Sequence, residues 1–367
     1  MEGFCMKKYA IVYCENQFGS MDGKTANGLI RSSGLYDITA VIDSTKTGRD
    51  SGEFLDGKRN GIPICKNLQE AIAVSKEKPS YFILGIAPAD AFLKEEERRV
   101  IIQAMEAGMN IINPLQEFLT EDEEMMRIAS RCGVEIRDIR KPKPKKEWTL
   151  FTGQILQIPT PIIAVLGTDG ACGKRTTAMI LDRALQKRGY RTAFIATGQT
   201  GLIQGASYGF AMDAFPLQYM IGELEREIVR AYENEKPDIM IVEGQGALSH
   251  PAYVSSAGVL KGARPKAVIL QHPPKRKTLG DFPFMKMPTV QSEIDLIEHF
   301  GQTKVIAITL NHEGMSDQEL TRTIREYEQK FHLPVTDVLK IGPDKVVDRI
   351  IEYFPSLQNK AQSGVAI

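Results

Sequence analysis

The sequence predicts an α/β protein built from two parallel-sheet domains. Three observations lead there. Short apolar runs alternate with helically spaced segments along the whole chain, which is the pattern of parallel sheets with helices between the strands. The chain has 367 residues, more than one core usually organises. A basic, proline-bearing stretch, Lys141-Pro-Lys-Pro-Lys-Lys146, interrupts the alternation, and it can continue neither a helix nor an inner strand.

In the first part, Tyr9–Tyr13, Ile38–Ile42, Tyr81–Ile86, Met109–Ile112 and Val134–Ile136 read as strands. Ala26–Arg31, Leu68–Ser75, Glu95–Ala107 and Glu121–Arg131 carry helical spacing between them. This is a Rossmann-like domain, assigned to residues 1–148, with the Lys141–Lys146 stretch as its solvated exit and the boundary near Thr149. Its first βα turn, Glu15 to Thr25, lacks G-x-G-x-x-G, so the fold does not bring NAD binding with it. Gly23, Lys24 and Thr25 could form an anion site at a helix start. Asp43 stands where a ribose-binding acid would, although a turn is the commoner reason for an Asp there.

The second part, residues 149–367, reads as a P-loop NTPase-like doubly wound domain. Its strands are expected at Ile162–Leu166, Thr192–Ala196, Ile239–Val242, Ala267–Leu270 and Val305–Thr309, with a short last one near Val338–Ile341. Helices are expected at Lys174–Arg188, Leu217–Glu233 and Gln318–Phe331, and the polar tail after Pro355 is expected to fray.

Composition narrows the function. Lys plus Arg and Asp plus Glu number 46 each, so no net field draws the chain to nucleic acid or to an anionic membrane. A small-molecule ligand is the default, and a homo-oligomer is left open. No stretch of about 18 uninterrupted apolar residues occurs, which leads us to expect a cytoplasmic protein. The five cysteines, Cys5, Cys14, Cys65, Cys132 and Cys172, have no paired short spacing and read as reduced thiols. The histidines form no H-x-x-x-H pair, so no metal site of protein ligands is expected.

The strongest motif begins at the strand Pro161 to Leu166 and continues as Gly167-Thr168-Asp169-Gly170-Ala171-Cys172-Gly173-Lys174-Arg175-Thr176-Thr177. An apolar strand, a glycine turn and a helix start of this kind aim backbone N–H groups, a helix dipole and a lysine ammonium at phosphates. Two details depart from the usual P-loop. Five residues rather than four separate Gly167 from Gly173, and Arg175 stands where a Ser or Thr hydroxyl normally meets Mg²⁺. Thr176 or Thr177 could substitute, but a loop that only grips a pyrophosphate has less need of the ion.

A second acid-bearing strand end, Ile239 to Glu243 followed by Gly-Gln-Gly-Ala-Leu-Ser-His250, places Glu243 at the carboxyl edge where open α/β sheets bind ligands. Glu243 could hold Mg²⁺ through water or act as a base, and His250 is the histidine best placed for proton transfer. A glycine-bearing loop containing Gln199, Thr200 and Gly201 and leading to Asp213 is assigned to substrate binding.

Gly167-Thr-Asp169, Gly173-Lys174 and Val242-Glu-Gly-x-Gly246 resemble dethiobiotin synthetase, which implies ATP and Mg²⁺ for the second half. A resemblance covering nearly the whole chain is to the D-glutamate N-acetyltransferase family, formerly a domain of unknown function. It is carried by Gly23-Lys-Thr-Ala-Asn27, Val41-Ile-Asp43, Gly48-Arg49-Asp50, Gly61-Ile-Pro63 and Asp138-Ile-Arg140 in the first half. In the second it is carried by the P-loop, Ala196-Thr-Gly-Gln-Thr-Gly201 and Glu243-Gly-Gln-Gly246. The resemblance implies acetyl transfer from acetyl-CoA to the amine of D-glutamate; the alternative is an ATP/Mg²⁺-dependent ligase or kinase, and a weaker third reading is a nucleotide-sensing module. The N-terminal domain also resembles, in general form, the CoA-binding domain of succinyl-CoA ligases. Glu243 or His250 as base is our inference from the residues, not something the family implies.

Overall fold

A computed structural model describes residues 8–87 and 92–362; Cys5 lies outside them. The chain forms two compact units, one of residues 8–142 with 199–205, the other of 143–198 with 206–362.

The first unit holds a six-stranded parallel sheet in the order β3-β2-β1-β4-β5-β6. Its strands are β1 (Tyr9–Tyr13), β2 (Asp37–Ile42), β3 (Ile64–Cys65), β4 (Tyr81–Leu84), β5 (Asn110–Asn113) and β6 (Ile136–Asp138). The helices are α1 (Lys24–Arg31), α2 (Ser51–Asp56), α3 (Leu68–Val74), α4 (Glu95–Glu106) and α5 (Glu123–Cys132). Strands buried on both faces explain the unbroken apolar runs: Ala10, Ile11, Val12, Phe82, Ile83 and Ile111 are shut away from solvent. Helix α2 and strand β3 were not foreseen. They are organised by Asp50, whose carboxylate caps α2 at Glu53 N–H (3.0 Å) and also takes the N–H groups of Asn60 (3.1 Å) and Gly61 (2.8 Å).

The second unit holds a seven-stranded parallel sheet in the order β13-β12-β11-β7-β10-β8-β9. The strands are β7 (Ile162–Gly167), β8 (Thr192–Ala196), β9 (Tyr208–Gly209), β10 (Ile239–Glu243), β11 (Ala267–His272), β12 (Val305–Leu310) and β13 (Val335–Thr336). The remaining helices are α6 (Lys174–Lys187), α7 (Gln199–Gln204), α8 (Leu217–Glu235), α9 (Ser255–Ala263), α10 (Val290–Gly301), α11 (Asp317–Phe331), α12 (Asp344–Tyr353) and α13 (Pro355–Gln362). One sheet face packs against α8, α9, α10 and α11. The other packs against α6, α12 and α13. Each fully buried Ile, Val or Leu in these layers contributes about 1.5–3 kcal/mol.

Two expectations are corrected. The last strand lies at Val335–Thr336, while 338–341 is a turn. Asp337 imposes that turn, its carboxylate accepting from Leu339 N–H (2.9 Å) and Lys340 N–H (3.0 Å). Pro355–Gln362 is helical, because Leu357 is buried against the sheet layer; the rest of that tail lies outside the described residues. The first compact unit ends at Pro142 and the second takes up at Lys143, a few residues before the expected boundary near Thr149. Trp148 packs on Phe215 and Tyr219, and Lys143 pairs with the buried Glu223 of α8 at 3.0 Å, which ties residues 143–148 to the second unit.

Helix α7 belongs to the first unit although its sequence neighbours belong to the second. Its Ile203 joins the first unit's core. The Gln204 amide donates to the carbonyls of Gly28 (2.9 Å) and Ser32 (2.7 Å), and the Thr200 and Thr25 hydroxyls meet at 2.9 Å.

Candidate functional site

In the second unit, β7 sits centrally with β10 on one side and β11 on the other. After β7 the chain runs to the β10 side, and later returns to β11, so the carboxyl end of β7 is a topological switch point where such sheets bind ligands. The P-loop, Thr168–Gly173, lies there and leads into α6. Gly167 is required by close approach: a Cβ on it would lie 2.8 Å from Cys172 Sγ and 3.1 Å from the Gln271 carbonyl. Gly173 has φ +109°, in the left-handed region that favours glycine.

Helix α6 starts at Lys174 with no side-chain cap and no acid in its first turn. Its first N–H groups have no carbonyl within the helix to meet, and the dipole favours an anion there. Lys174 is buried, its Nζ turned onto the Asp169 carbonyl and 3.6 Å from Cys172 Sγ. The Asn311 amide at the end of β12 holds the Cys172 carbonyl at 3.1 Å. Thr177 donates its hydroxyl to Gln271 Oε1 (2.6 Å), which also accepts from Thr309, and Thr168 Oγ1 meets His272 Nδ1 at 2.9 Å. Of the two threonines considered as metal ligands, Thr177 gives its proton to Gln271 and keeps its oxygen lone pairs, and Thr176 is half-buried.

Asp169 is wholly buried and heavily bonded. One oxygen accepts Gly170 N–H at 2.7 Å; the other accepts Gly280 N–H at 2.9 Å and Arg276 Nη1 at 2.6 Å. Arg276 also donates to the Gly170 carbonyl (2.8 Å) and forks onto Glu313 at 2.8 and 2.9 Å. These bonds hold its guanidinium well above its ordinary pKa despite burial. Arg276 thus ties the P-loop tip to the loops after β11 and β12.

Glu243 ends β10, buried, with Oε2 accepting Thr197 N–H at 3.1 Å. Burial raises its pKa, against the opposing pull of Arg175 and Lys174. A carboxyl with raised affinity for protons beside two cations suits proton transfer. The loop after β10 is pinned by the buried Glu293 of α10, which accepts Leu248 N–H and the Ser249 hydroxyl at 2.5 Å each.

His250 follows, its side chain fully buried and its pKa lowered by that burial. Its Nδ1 accepts Ala252 N–H at 3.2 Å. In the neutral ring the proton then sits on Nε2, which has no hydrogen-bond partner and faces Asp169 Oδ1 across 4.0 Å. In this arrangement His250 is a hydrogen-bond donor; the lone pair that a base needs is occupied.

The structure therefore brings Gly167 to Thr177, Glu243 and His250 together in one unit. Gln199, Thr200 and Gly201 form the first turn of α7, not an open loop, and Asp213 lies exposed in a 3-10 turn, Met212–Ala214. At the start of α1, Lys24 N–H bonds the Met21 carbonyl and Ala26 N–H the Gly85 carbonyl, which removes donors from the anion site considered there. Arg276, Gln271, Tyr253 and Asp281 were missed. A basic triplet, Lys275 to Lys277, directly after a strand end was the available signal for Arg276. Among the described residues no three His, Cys, Asp or Glu side chains group so as to hold a metal ion, and no helix is long and apolar enough to cross a membrane.

Residues 149–347 match the domain of unknown function DUF1611_C, described as a P-loop domain, and residues 44–142 match DUF1611_N, described as Rossmann-like. A D-glutamate N-acetyltransferase from Tritonibacter scottomollicae is 27% identical over 77% of this chain and 84% of its own. One from a Pseudoalteromonas species is 29% identical over 78% and 87%. The crystal structure of a DUF1611 family protein from Anabaena variabilis is 28% identical, with a TM-score of 0.86 over 94% of this chain and 100% of that one. A Rossmann-like unit followed by a P-loop unit, with the sequence blocks of both, makes the chain a member of the DUF1611 family.

Proposed function

We propose that the protein transfers an acetyl group from acetyl-CoA to the amine of D-glutamate. The observation that carries this reading is the start of α6, which has no side-chain cap and opens on Lys174 and Arg175, the latter in the place where a Ser or Thr hydroxyl normally meets Mg²⁺. Such a helix start grips a diphosphate by charge and backbone N–H groups, with less need of Mg²⁺. The names of the two relatives support the same reading. Acetyl-CoA would lay its diphosphate on the start of α6, Gly173–Arg175, and supply the activated acetyl group.

The protein's own part is proton management and orientation. Glu243 takes a proton from the substrate ammonium, so that the amine nitrogen can bond the acetyl carbon as the thiol leaves. His250, whose Nδ1 lone pair is taken by Ala252 N–H, stands outside the proton transfer. A second reading, an ATP/Mg²⁺-dependent ligase, is favoured by one observation, the carboxylate of Glu243 beside the P-loop lysine.

Purified protein incubated with acetyl-CoA and a panel of amino acids, D- and L-glutamate included, separates the two. Thiol release with D-glutamate is expected to persist in excess EDTA and to rise with pH as free amine increases. EDTA-sensitive release of ADP and phosphate, with acetyl-CoA left intact, would overturn the reading, because Mg²⁺ bridges the phosphates in ATP chemistry.

A further inference from the structure

The loops after β10 and β11 meet over the tip of the P-loop and present an aromatic strip that the reaction above does not use. The Tyr253 ring stacks on His250 with centroids 4.3 Å apart and planes 16° from parallel. Phe282 lies 5.7 Å from His250, and Phe284 lies 5.8 Å from Phe282. Tyr253 donates its hydroxyl to Asp281 at 2.8 Å, and burial followed by Asp281 pushes its pKa up to about 12.

The strip is built, not incidental. Residues 277–287 form a small hairpin with an antiparallel bridge between Thr278 and Lys286. Leu279 N–H bonds the Met285 carbonyl (3.0 Å), Met287 N–H bonds the Lys277 carbonyl (3.0 Å), and Leu279 is buried beneath. The hairpin is fastened to the P-loop by Gly280 N–H on Asp169. At its tip Phe284 is 82% exposed, with Tyr253 and Val254 at 41% and 57%. An apolar surface of this kind beside a phosphate loop marks a place where a ligand lies. The independent pointer is His250 Nε2–H, fully buried and without a partner under the same strip, since a buried donor left unmade is costly.

We propose that this strip binds the uncharged arm of a thioester cofactor, its methyl and methylene groups lying on Tyr253, Phe282 and Phe284, and one amide carbonyl accepting from His250 Nε2–H. The proposal rests on the acetyl-CoA reading. The chemistry of the surface selects the arm over a further phosphate: Asp281 beside the tip, its carboxylate 3.6 Å from where a Cβ on Gly170 would lie, repels an anion, while a neutral imidazole and aromatic rings suit amides and alkyl groups.

Calorimetric titration of the full chain with acetyl-CoA and, separately, with ADP tests it. ADP shares the adenosine diphosphate and lacks the arm. Phe284→Ala, at an exposed tip, is expected to weaken acetyl-CoA roughly five- to twentyfold and to leave ADP unchanged. His250→Leu should weaken acetyl-CoA roughly tenfold, and His250→Gln, which keeps a donor, should recover most of that. An equal loss for both ligands, or no loss for either, would overturn the proposal. If the unsubstituted chain binds ADP but not acetyl-CoA, the acetyl-CoA reading itself fails and takes this proposal with it; selective loss of acetyl-CoA alone in Phe284→Ala supports both.

Discussion

The two units share a plan, a central parallel strand followed by a turn and a helix, yet they spend the polar groups of that turn differently. In the first unit the turn after β1 is closed upon itself. Asp43, wholly buried, takes Phe18 N–H (3.0 Å), Thr45 N–H (3.1 Å), Thr45 Oγ1 (2.6 Å) and Lys46 Nζ (2.8 Å), while Asn27 Oδ1 takes Gly19 N–H at 2.9 Å. In the second unit the turn after β7 keeps an uncapped helix start and a lysine resting only on its own loop, and the loop after β10 adds a buried imidazole N–H with nothing to meet. A saturated turn is a structural joint. A turn with buried, pre-positioned donors unspent is suited to binding, because a ligand recovers what the folded chain leaves unmade.

The largest expected effect tests the acid within the open turn. Glu243→Gln preserves volume and the chance to accept Thr197 N–H but removes the proton acceptor, so turnover should fall about 10²–10⁴-fold with acetyl-CoA affinity nearly unchanged. Steady-state kinetics beside calorimetry would show it. Unchanged turnover would remove Glu243 from the chemistry and leave the open turn as a binding site alone.

Acid should separate the two units next. His272 is buried against Thr168, and burial, with Arg276 and Lys277 adding to it, lowers its pKa from 6.5 to about 4. The unfolded chain takes up this proton at higher pH than the folded one. The stabilisation is therefore complete above about pH 6.5 and is lost as pH falls toward 4, on the order of 3 kcal/mol in all. Asp43 behaves otherwise. Although burial alone would raise it, the bonds from Lys46, Thr45 and Phe18 hold its pKa below 3.8, so its contribution persists until the pH falls below the usual carboxylate range. Trp148, the single tryptophan, lies in the second unit on Phe215 and Tyr219. Its fluorescence in urea should show that unit weakening between pH 6.5 and 4, and His272→Gln should flatten the dependence. Equal weakening in the variant would place the acid sensitivity elsewhere.

Much of this contrast was legible in the residues, and what was not has physical reasons. Long apolar strands such as Ile162–Gly167 announce themselves because both their faces are buried, and the P-loop does because its spacing is a backbone requirement. Helix α7 was read as a loop because Gly198 and Gly201 suggest a turn; what makes it a helix is its packing by Ile203 and Gln204, which no local pattern contains. Val338–Ile341 looked like a strand by composition, and one carboxylate, Asp337, decided otherwise. Arg276, Tyr253 and Asp281 come from irregular loops whose relation to the P-loop exists only in three dimensions. His250 was legible as a candidate for proton transfer but not as a donor, since its tautomer is set by Ala252 N–H.

The smallest effect bears most directly on the comparison, because it sets two lysines in equivalent places against each other. Lys174 and Lys24 both open the helix that follows a central strand. Lys174→Ala removes one charge-assisted contact from a helix start that is otherwise uncapped, at a cost of about 1.5–3 kcal/mol, or roughly ten- to hundredfold in affinity for acetyl-CoA. Lys24→Ala should change that affinity by less than about twofold, because the first N–H groups of α1 already bond Met21 and Gly85 and leave little positive end for an anion. Titration of both variants with the same ligand decides the matter. Comparable losses would mean that the first unit's turn also holds phosphate, and that its saturation does not disqualify it as a site.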